Sequence, residues 1–324
     1  MLHVAGAGAA WASTIIDNEF LAALPGAAEA PRAGIERRHS ILPLEYIRER
    51  GNERTGEALA VARETPTDLA CRAVEEALRR AGIAPDDVGL LLGDACSPLE
   101  TTPAESQRVG SRFGLKNAAA WDLTNGPNSL LLQLELLCSW REERIPEFVV
   151  CLTTNTPTQQ VNYRHGLERF YCSDGAVALV VSPRRRGRLQ IREARCRPGG
   201  SRALITTAAY GHITLDIEAM QREIEAASGA ELADLRRSGS VDVERARFLT
   251  PDLDVSTVEA ITAAGELRSD QIVSAVRERG FSPGTGAFAP MAERWDTLPR
   301  GSLVVLGSGA GVNSGRVIFD VVEE

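Results

Sequence analysis

AAWDLTNGPNSLLLQLELL, residues 118–136, carries the fold of this chain in miniature. A short apolar strand runs into Asp122, a turn containing Gly126 follows, and a strongly apolar helix is predicted over 128–143. Such a strand–turn–helix corner gathers the unpaired N–H groups and partial positive charge of a helix N-terminus at one point. Many enzymes hold a nucleophile there. Here the corner is occupied by Pro127, which carries no reactive group. Proline suits the first helical position, where its missing N–H would be unpaired anyway. The spacing therefore predicts Asn125 or Gly126 as the cap and Pro127 as the first helical residue. The helix is apolar nearly all round at its start, which predicts a place in the middle of the protein.

Outward from this corner, strands and helices alternate. LHVAGAGAAW (2–11) reads as a strand that breaks at its glycines. TPTDLACRAVEEALRRAGI (65–83) has a helical apolar period, with Thr67 or Asp68 as cap and Gly82 as stop. VGLLLGDAC (88–96) is too continuously apolar for one wet face, as expected of a parallel strand covered on both sides. AESQRVGSRFGL (104–115) reads as a helix ended by Gly114, and EFVVCLTT (147–154) as a strand. GAVALVVSP (175–183) with GRLQIREARC (187–196) suggests a hairpin or meander. The second half repeats this grammar: VSTVEAITAAGEL (255–267) and SDQIVSAVRERG (269–280) read as helices, and GSLVVLGSGAG (301–311) as a strand entering a glycine turn. Two successive β-α-β-α-β units predict a duplicated α/β fold, with halves 1–183 and 184–324. Residues 198–245 are the least patterned and form a linker or cap, with RRSGSV (236–241) as a surface loop.

The chain has 324 residues, enough for a large core, and a net charge of −8, which disfavours general affinity for nucleic acid or anionic membrane. The basic run Arg184–Arg188 opposes that balance and reads as a solvated turn, with a phosphate-binding patch as the alternative. The six cysteines form no CxxC pair and have no histidine at metal spacing, so no metal site is expected. Cys138 and Cys151 lie in apolar runs and read as packing residues. The N-terminus lacks a signal-peptide pattern and no run approaches a membrane span, so a cytoplasmic protein is expected.

Five segments resemble the thiolase-fold condensing enzymes, specifically the ketoacyl-ACP synthase III branch and its relatives that join two acyl-CoAs head to head. AGIERRHS (33–40) resembles the N-terminal signature, and AGIAPDDVGLLLGDACSP (81–98) the helix and strand before the dimer loop. WDLTN (121–125) resembles the approach to the nucleophile, particularly in the head-to-head enzymes. FYCSDGAVALVVS (170–182) resembles the Gly-Asp-Gly-Ala strand, with Ser173 for the first glycine, and LVVLGSGAGVNSG (303–315) the C-terminal glycine turn. The resemblance spans nearly the whole chain and implies a layered α-β-α-β-α architecture.

It also implies a Cys nucleophile at the N-terminus of the central helix, assisted by a His and an Asn. A helix N-terminus lowers a thiol pKa, and backbone N–H groups hold a thioester oxyanion. Carried onto this sequence, those three positions fall on Pro127, Pro251 and Phe281, none of which attacks, donates or accepts through its side chain. The resemblance places Ser308 at the oxyanion turn and Arg32 near the adenine end of a CoA channel. The loop CSPLETTPAESQ (96–107) corresponds to one that reaches into the partner subunit; the glutamate used there by the head-to-head enzymes falls on Thr102, with Glu100 two residues earlier.

Replacement residues are scarce. Ser129 is nearest, but two residues along a helix turn its side chain about 200° from the family position, and a first-turn serine ordinarily bonds local backbone. His212 lies in the linker that borders the acyl channel in relatives. His39 reads as a hydrogen-bonded core residue, His165 as a surface-loop residue, and Asp174 and Asp216 as strand-end or capping groups. The glycine turn at 307–311 lacks the Lys-Ser/Thr of a phosphate loop and the spacing of a dinucleotide fingerprint.

The expected function is that of a non-catalytic partner of an intact ketoacyl-ACP synthase III-like paralogue in fatty-acyl, polyketide-like or quinolone-like biosynthesis. Two alternatives stay open: an acyltransferase with altered chemistry, and a homodimeric acyl-ligand binder. Acyl-CoA or acyl-ACP is the expected substrate or ligand, with no covalently bound cofactor, and acyl carrier protein is a possible partner.

Overall fold

The computed structural model describes residues 1–25, 33–198, 204–206, 211–308 and 313–322. Nine strands form one mixed sheet: β1 (His3–Trp11), β2 (Val88–Gly93), β3 (Ala119–Asp122), β4 (Phe148–Asn155), β5 (Gly175–Ser182), β6 (Leu189–Pro198), β7 (Arg247–Leu249), β8 (Gly301–Ser308) and β9 (Asn313–Val321). Their order is β7-β8-β9-β6-β1-β5-β4-β2-β3. In the first half β1 is antiparallel to β5, β5 antiparallel to β4, and β4 parallel to β2. In the second, β6 is antiparallel to β9, β9 antiparallel to β8, and β8 parallel to β7. The same order and sense therefore occur twice, and the two sets meet where His3 pairs with Gln190 and Val4 with Leu189. β3, on the free edge, has no counterpart among the described residues.

β1 does not break at its glycines; it runs through Gly6 and Gly8. A Cβ on either would lie 2.2 Å from a carbonyl oxygen, that of Ala77 or Ala73 respectively. Both carbonyls belong to helix α1 (Pro66–Ala81), so the missing side chains let that helix lie directly on the strand. Its cap is Thr65, not Thr67 or Asp68. Asp68 N–H donates to Thr65 Oγ1 at 3.2 Å, while the Asp68 carboxylate accepts from Thr65 N–H at 2.7 Å. Thr67 is buried and bonds Glu105 instead.

β5 and β6 form no hairpin, because β1 lies between them and pairs with both. The expected helix over 269–280 is reduced to the turn Ser269–Gln271 and the short helix Val276–Arg279. Between them Val273 N–H donates to Phe248 O, and Ala275 N–H to Asp252, which hold that stretch against β7 and its following loop.

Helix α2 (Glu105–Phe113) precedes β3, and helix α3 (Ser129–Ser139) follows it. α3 packs on β4, β6 and β9, so it lies between the two half-sheets. Leu130, Leu131, Leu134 and Leu137 are fully buried there with Leu90, Val149, Leu179, Val305 and Val317. Each such leucine contributes about 1.5–3 kcal/mol by leaving water. Cys151 is buried in the same layer, whereas Cys138 is exposed near the end of α3 and not a packing residue.

The linker contains the paired strands Ile205–Thr206 and Thr214–Leu215 and a long helix, α4 (Ile217–Ser238), which extends through Arg236 and Arg237 where a loop is expected. Arg316 ties it to β9, 3.0 Å from Glu231 and 2.8 Å from Asp234, and Arg195 ties it to β6 through the same two carboxylates. Helix α5 (Val255–Ala264) follows β7 and is capped by Asp254. Among the described residues, no helix is long and apolar enough to cross a membrane.

Candidate functional site

The corner after β3 is built from side chains that bond backbone. The Asp122 carboxylate accepts from Glu105 N–H at 3.1 Å and Ser106 N–H at 3.0 Å, closing the start of α2. Gly126 has φ +57°, a conformation that favours glycine. Ser129 Oγ accepts from Asn125 N–H at 2.7 Å and donates to Gly126 O at 2.8 Å. These bonds tighten the turn and delay the helix, which opens at Ser129 with Asn128 as the cap residue. Pro127 thus precedes the cap and is not the first helical residue. Asn128 Nδ2 donates to Asn313 Oδ1 at 2.6 Å, and Asn313 Nδ2 to Asn125 Oδ1 at 2.7 Å, lashing the corner to β9.

Two further segments approach the same place. After β7, Asp252 is buried; it accepts from Thr250 Oγ1 and Ser274 Oγ at 3.0 Å each and from Ala275 N–H at 3.4 Å. Burial pushes its carboxyl up to about 7 against the pull of those donors. After Gly280, Phe281 N–H donates to Tyr171 O and Phe281 O accepts from Ser173 N–H, both at 2.8 Å. Asn155 Nδ2 then holds Pro283 O at 2.5 Å.

Pro127, Pro251, Phe281 and Ser308 line one cavity. Asn128, Asp252 and Ser282 line it too, with Met220, Glu223 and Ile224 of α4 on another wall. Its free volume is about 30 Å³, room for about one water molecule. No Cys, His, Lys or Arg stands among the described lining residues. Pro127, Pro251 and Phe281, far apart in sequence, converge on one pocket, and no cysteine stands among its described lining residues.

The other candidates lie elsewhere. Ser129 is buried with its hydroxyl committed to the turn and is not part of the cavity lining. His212 Nε2 is 3.0 Å from Asn52 O, also away from the lining residues. Glu100 is exposed and paired with Arg108 at 2.7 Å; Thr102 is exposed on the same loop. Arg32, Gly309 and Gly311 lie outside the described residues. His39 is buried, with Nδ1 2.7 Å from Ala12 O, and His165 is exposed. Asp174 is buried and accepts from Ile41 and Thr158 N–H groups, and Asp216 caps α4. A thiol and a carboxyl do approach each other at Cys96 and Asp94, Sγ to Oδ2 4.0 Å, but outside the cavity. Burial, then the Asp94 charge, pushes that thiol well above its usual range, so it stays protonated. Arg184 pairs with Glu147 and Arg185 lies over the Phe148 ring, as in a solvated turn. No cluster of three His, Cys, Asp or Glu suited to a metal occurs among the described residues.

Asp252 and Ser282 are the cavity residues that motif matching passes over. Asp252 adjoins Pro251 in TPDLD, and a carboxylate in an otherwise apolar stretch is a usable signal; nothing in the spacing of residues marks Ser282.

A strand–helix corner held between duplicated half-sheets, with a cavity at its tip, defines a thiolase-fold protein. No protein-family model matches the chain. It is 33% identical over 164 residues to a 3-oxopimeloyl-[acyl-carrier-protein] synthase of Rhodothermus marinus, covering 50% of this chain and 46%, about half, of that relative. It is 24% identical to a beta-ketoacyl-[acyl-carrier-protein] synthase III of Sphingopyxis alaskensis, over 83% of this chain and 89% of that one. The crystal structure of 3-oxoacyl-[acyl-carrier-protein] synthase III from Aquifex aeolicus superposes with a TM-score of 0.84 at 17% identity, covering 99% and 100% of the two chains. The chain is similar in sequence to ketoacyl-ACP synthase III proteins and shares the thiolase fold of their solved structures.

Proposed function

We propose that this chain is a cytoplasmic, non-catalytic partner subunit that pairs with an active ketoacyl-ACP synthase III-like enzyme in fatty-acyl or polyketide-type biosynthesis, including secondary metabolism. The observation that carries this reading is the convergence of Pro127, Pro251 and Phe281 on one cavity. These are the positions where the family resemblance puts the nucleophile and its two assistants. A condensing scaffold with apolar residues at all three acts through contact, not through bond making.

The free edge of the sheet supports the pairing. β3 is exposed along most of its length, and Trp121 is 47% exposed beside Trp140, ring centroids 6.0 Å apart. An apolar edge strand with unpaired N–H and C=O groups is a template for a strand of another chain. Asp122, at the end of that strand, also fixes the start of α2, so the loop carrying Glu100 and Thr102 ends beside the same edge.

Co-expression with a homologue carrying intact Cys, His and Asn tests the proposal. The expected outcome is a stoichiometric complex that condenses acyl thioesters, with no turnover by this chain alone. Condensation by the isolated chain, or full activity of the homologue without it and no complex, overturns the reading.

A further inference from the structure

Arg279 joins parts of the molecule that are far apart in sequence. One guanidinium nitrogen lies 3.2 Å from His39 Nε2 and another 2.9 Å from Glu293, and the group stands over the Trp11 ring, 5.7 Å from its centroid. Trp11 Nε1–H donates to the same Glu293 carboxylate at 2.9 Å, and the Trp11 and His39 rings are 5.6 Å apart. The end of β1, the short strand Arg37–Ser40 and the helix Ala289–Glu293 thus meet on one side chain. That side chain closes the short helix Val276–Arg279, and Phe281 and Ser282, just beyond it, line the cavity.

The bonds fix the protonation of His39. Its Nδ1 is 2.7 Å from Ala12 O, which only accepts, so Nδ1 carries the hydrogen. Arg279 only donates, so Nε2 is the acceptor and the ring is neutral. A second proton, on Nε2, would point at a guanidinium. Burial above all, with the Arg279 and Arg37 charges, holds the imidazole below its usual range against the pull of Ala12 O and Glu64. The carboxylates nearby are spent: Glu64 on Arg72, Glu293 on Trp11 and Arg279, and Asp174 on the Ile41 and Thr158 N–H groups.

We propose that His39 and Arg279 form a proton-operated clasp: uptake of one proton by His39 expels Arg279 and loosens the segment that carries Phe281 and Ser282. Arg279 is 35% exposed, so it swings toward solvent while keeping Glu293 as its partner. The other charged contacts of the segment are Asp252 with Ala275 N–H at 3.4 Å, Arg277 with Glu36 at 3.3 Å and Glu278 with Arg37 at 3.6 Å. The open form takes the proton at the ordinary imidazole pKa of about 6.5 and the closed form excludes it. The opening constant should therefore rise about ten-fold for each pH unit below that value.

The test is nuclear magnetic resonance and hydrogen exchange of the full chain between pH 8 and 5. His39 should be the Nδ1–H tautomer at pH 8 and titrate below the exposed His165. The protection factor of Phe281 N–H should fall about ten-fold per pH unit below about pH 6.5. That of Leu134 N–H, in the buried helix α3, should not fall, which separates local opening from unfolding. In Arg279→Ala the His39 midpoint should move up and the pH dependence at Phe281 should disappear. An Nε2–H tautomer, a His39 midpoint at or above that of His165, or Phe281 protection that is constant through the His39 titration overturns the proposal. So does the same loss of protection in Arg279→Ala, which would assign it to Asp252.

Discussion

The side-chain amide of Asn128 donates to Asn313 Oδ1 at 2.6 Å, joining the corner after β3 to the last strand of the second half-sheet. Asn313 also donates to Asn125 Oδ1 at 2.7 Å, so one residue of β9 fixes the turn on both sides of Pro127. The same bond explains Gly307, where a Cβ would lie 2.5 Å from Asn128 Oδ1. The corner survives without a reactive residue because its bonds involve the asparagines and Ser129, not position 127.

Asn313→Ala should therefore destabilise the protein by about 1–3 kcal/mol, the cost of stranding partly buried amides. Urea denaturation measures this as a lowered midpoint with little change in slope. The double variant with Asn128→Ala should lose less than the sum of the single variants, because the two share one bond.

Asp252 sets a pH dependence. Its folded pKa of about 7 lies above the unfolded value of about 3.9. The folded state thus binds the proton more tightly, and the stability this contributes is fully present below about pH 4 and lost as pH rises through about 7. A tenfold difference in proton affinity between folded and unfolded states corresponds to about 1.4 kcal/mol. Asp94 and Asp174, also raised to about 7 by burial, add to the same slope. Asp252→Asn, which mimics the protonated form, should flatten the fall in urea midpoint between pH 4 and 8; an unchanged slope would refute the assignment.

Trp121 separates association from folding. It is 47% exposed, so Trp121→Arg should alter stability by no more than about 0.5 kcal/mol. The same change puts a charge on the edge strand and should abolish subunit pairing by sedimentation velocity. Intact pairing in the variant would move the interface away from β3.

Much of this fold is legible in residues 118–136 and their repeats. The apolar run of α3, the strand that enters it and the alternation of elements read directly, because one continuous apolar helix has one place to go in a layered protein. Long-range contacts were not legible. Gly6 and Gly8 look like strand breakers until α1 is seen lying on them. β5 and β6 look like a hairpin because nothing local reveals that β1 enters between them. The stretch 269–280 has helical spacing, yet bonds to Asp252 and Phe248 outweigh it. At the site, local motifs locate Pro127, Pro251 and Phe281, while Ser282 and Asp252 emerge only from the cavity that tertiary packing creates.

A non-catalytic partner subunit, as proposed, has no residue that takes an acyl group from a thioester. Intact-protein mass spectrometry of the isolated chain after incubation with medium-chain acyl-CoA tests it most directly. An unmodified mass and no release of free CoA are the expected result. A stoichiometric acyl adduct, mapped by peptide sequencing to a residue lining the Pro127–Pro251–Phe281 cavity and lost when that residue is replaced by alanine, would contradict it.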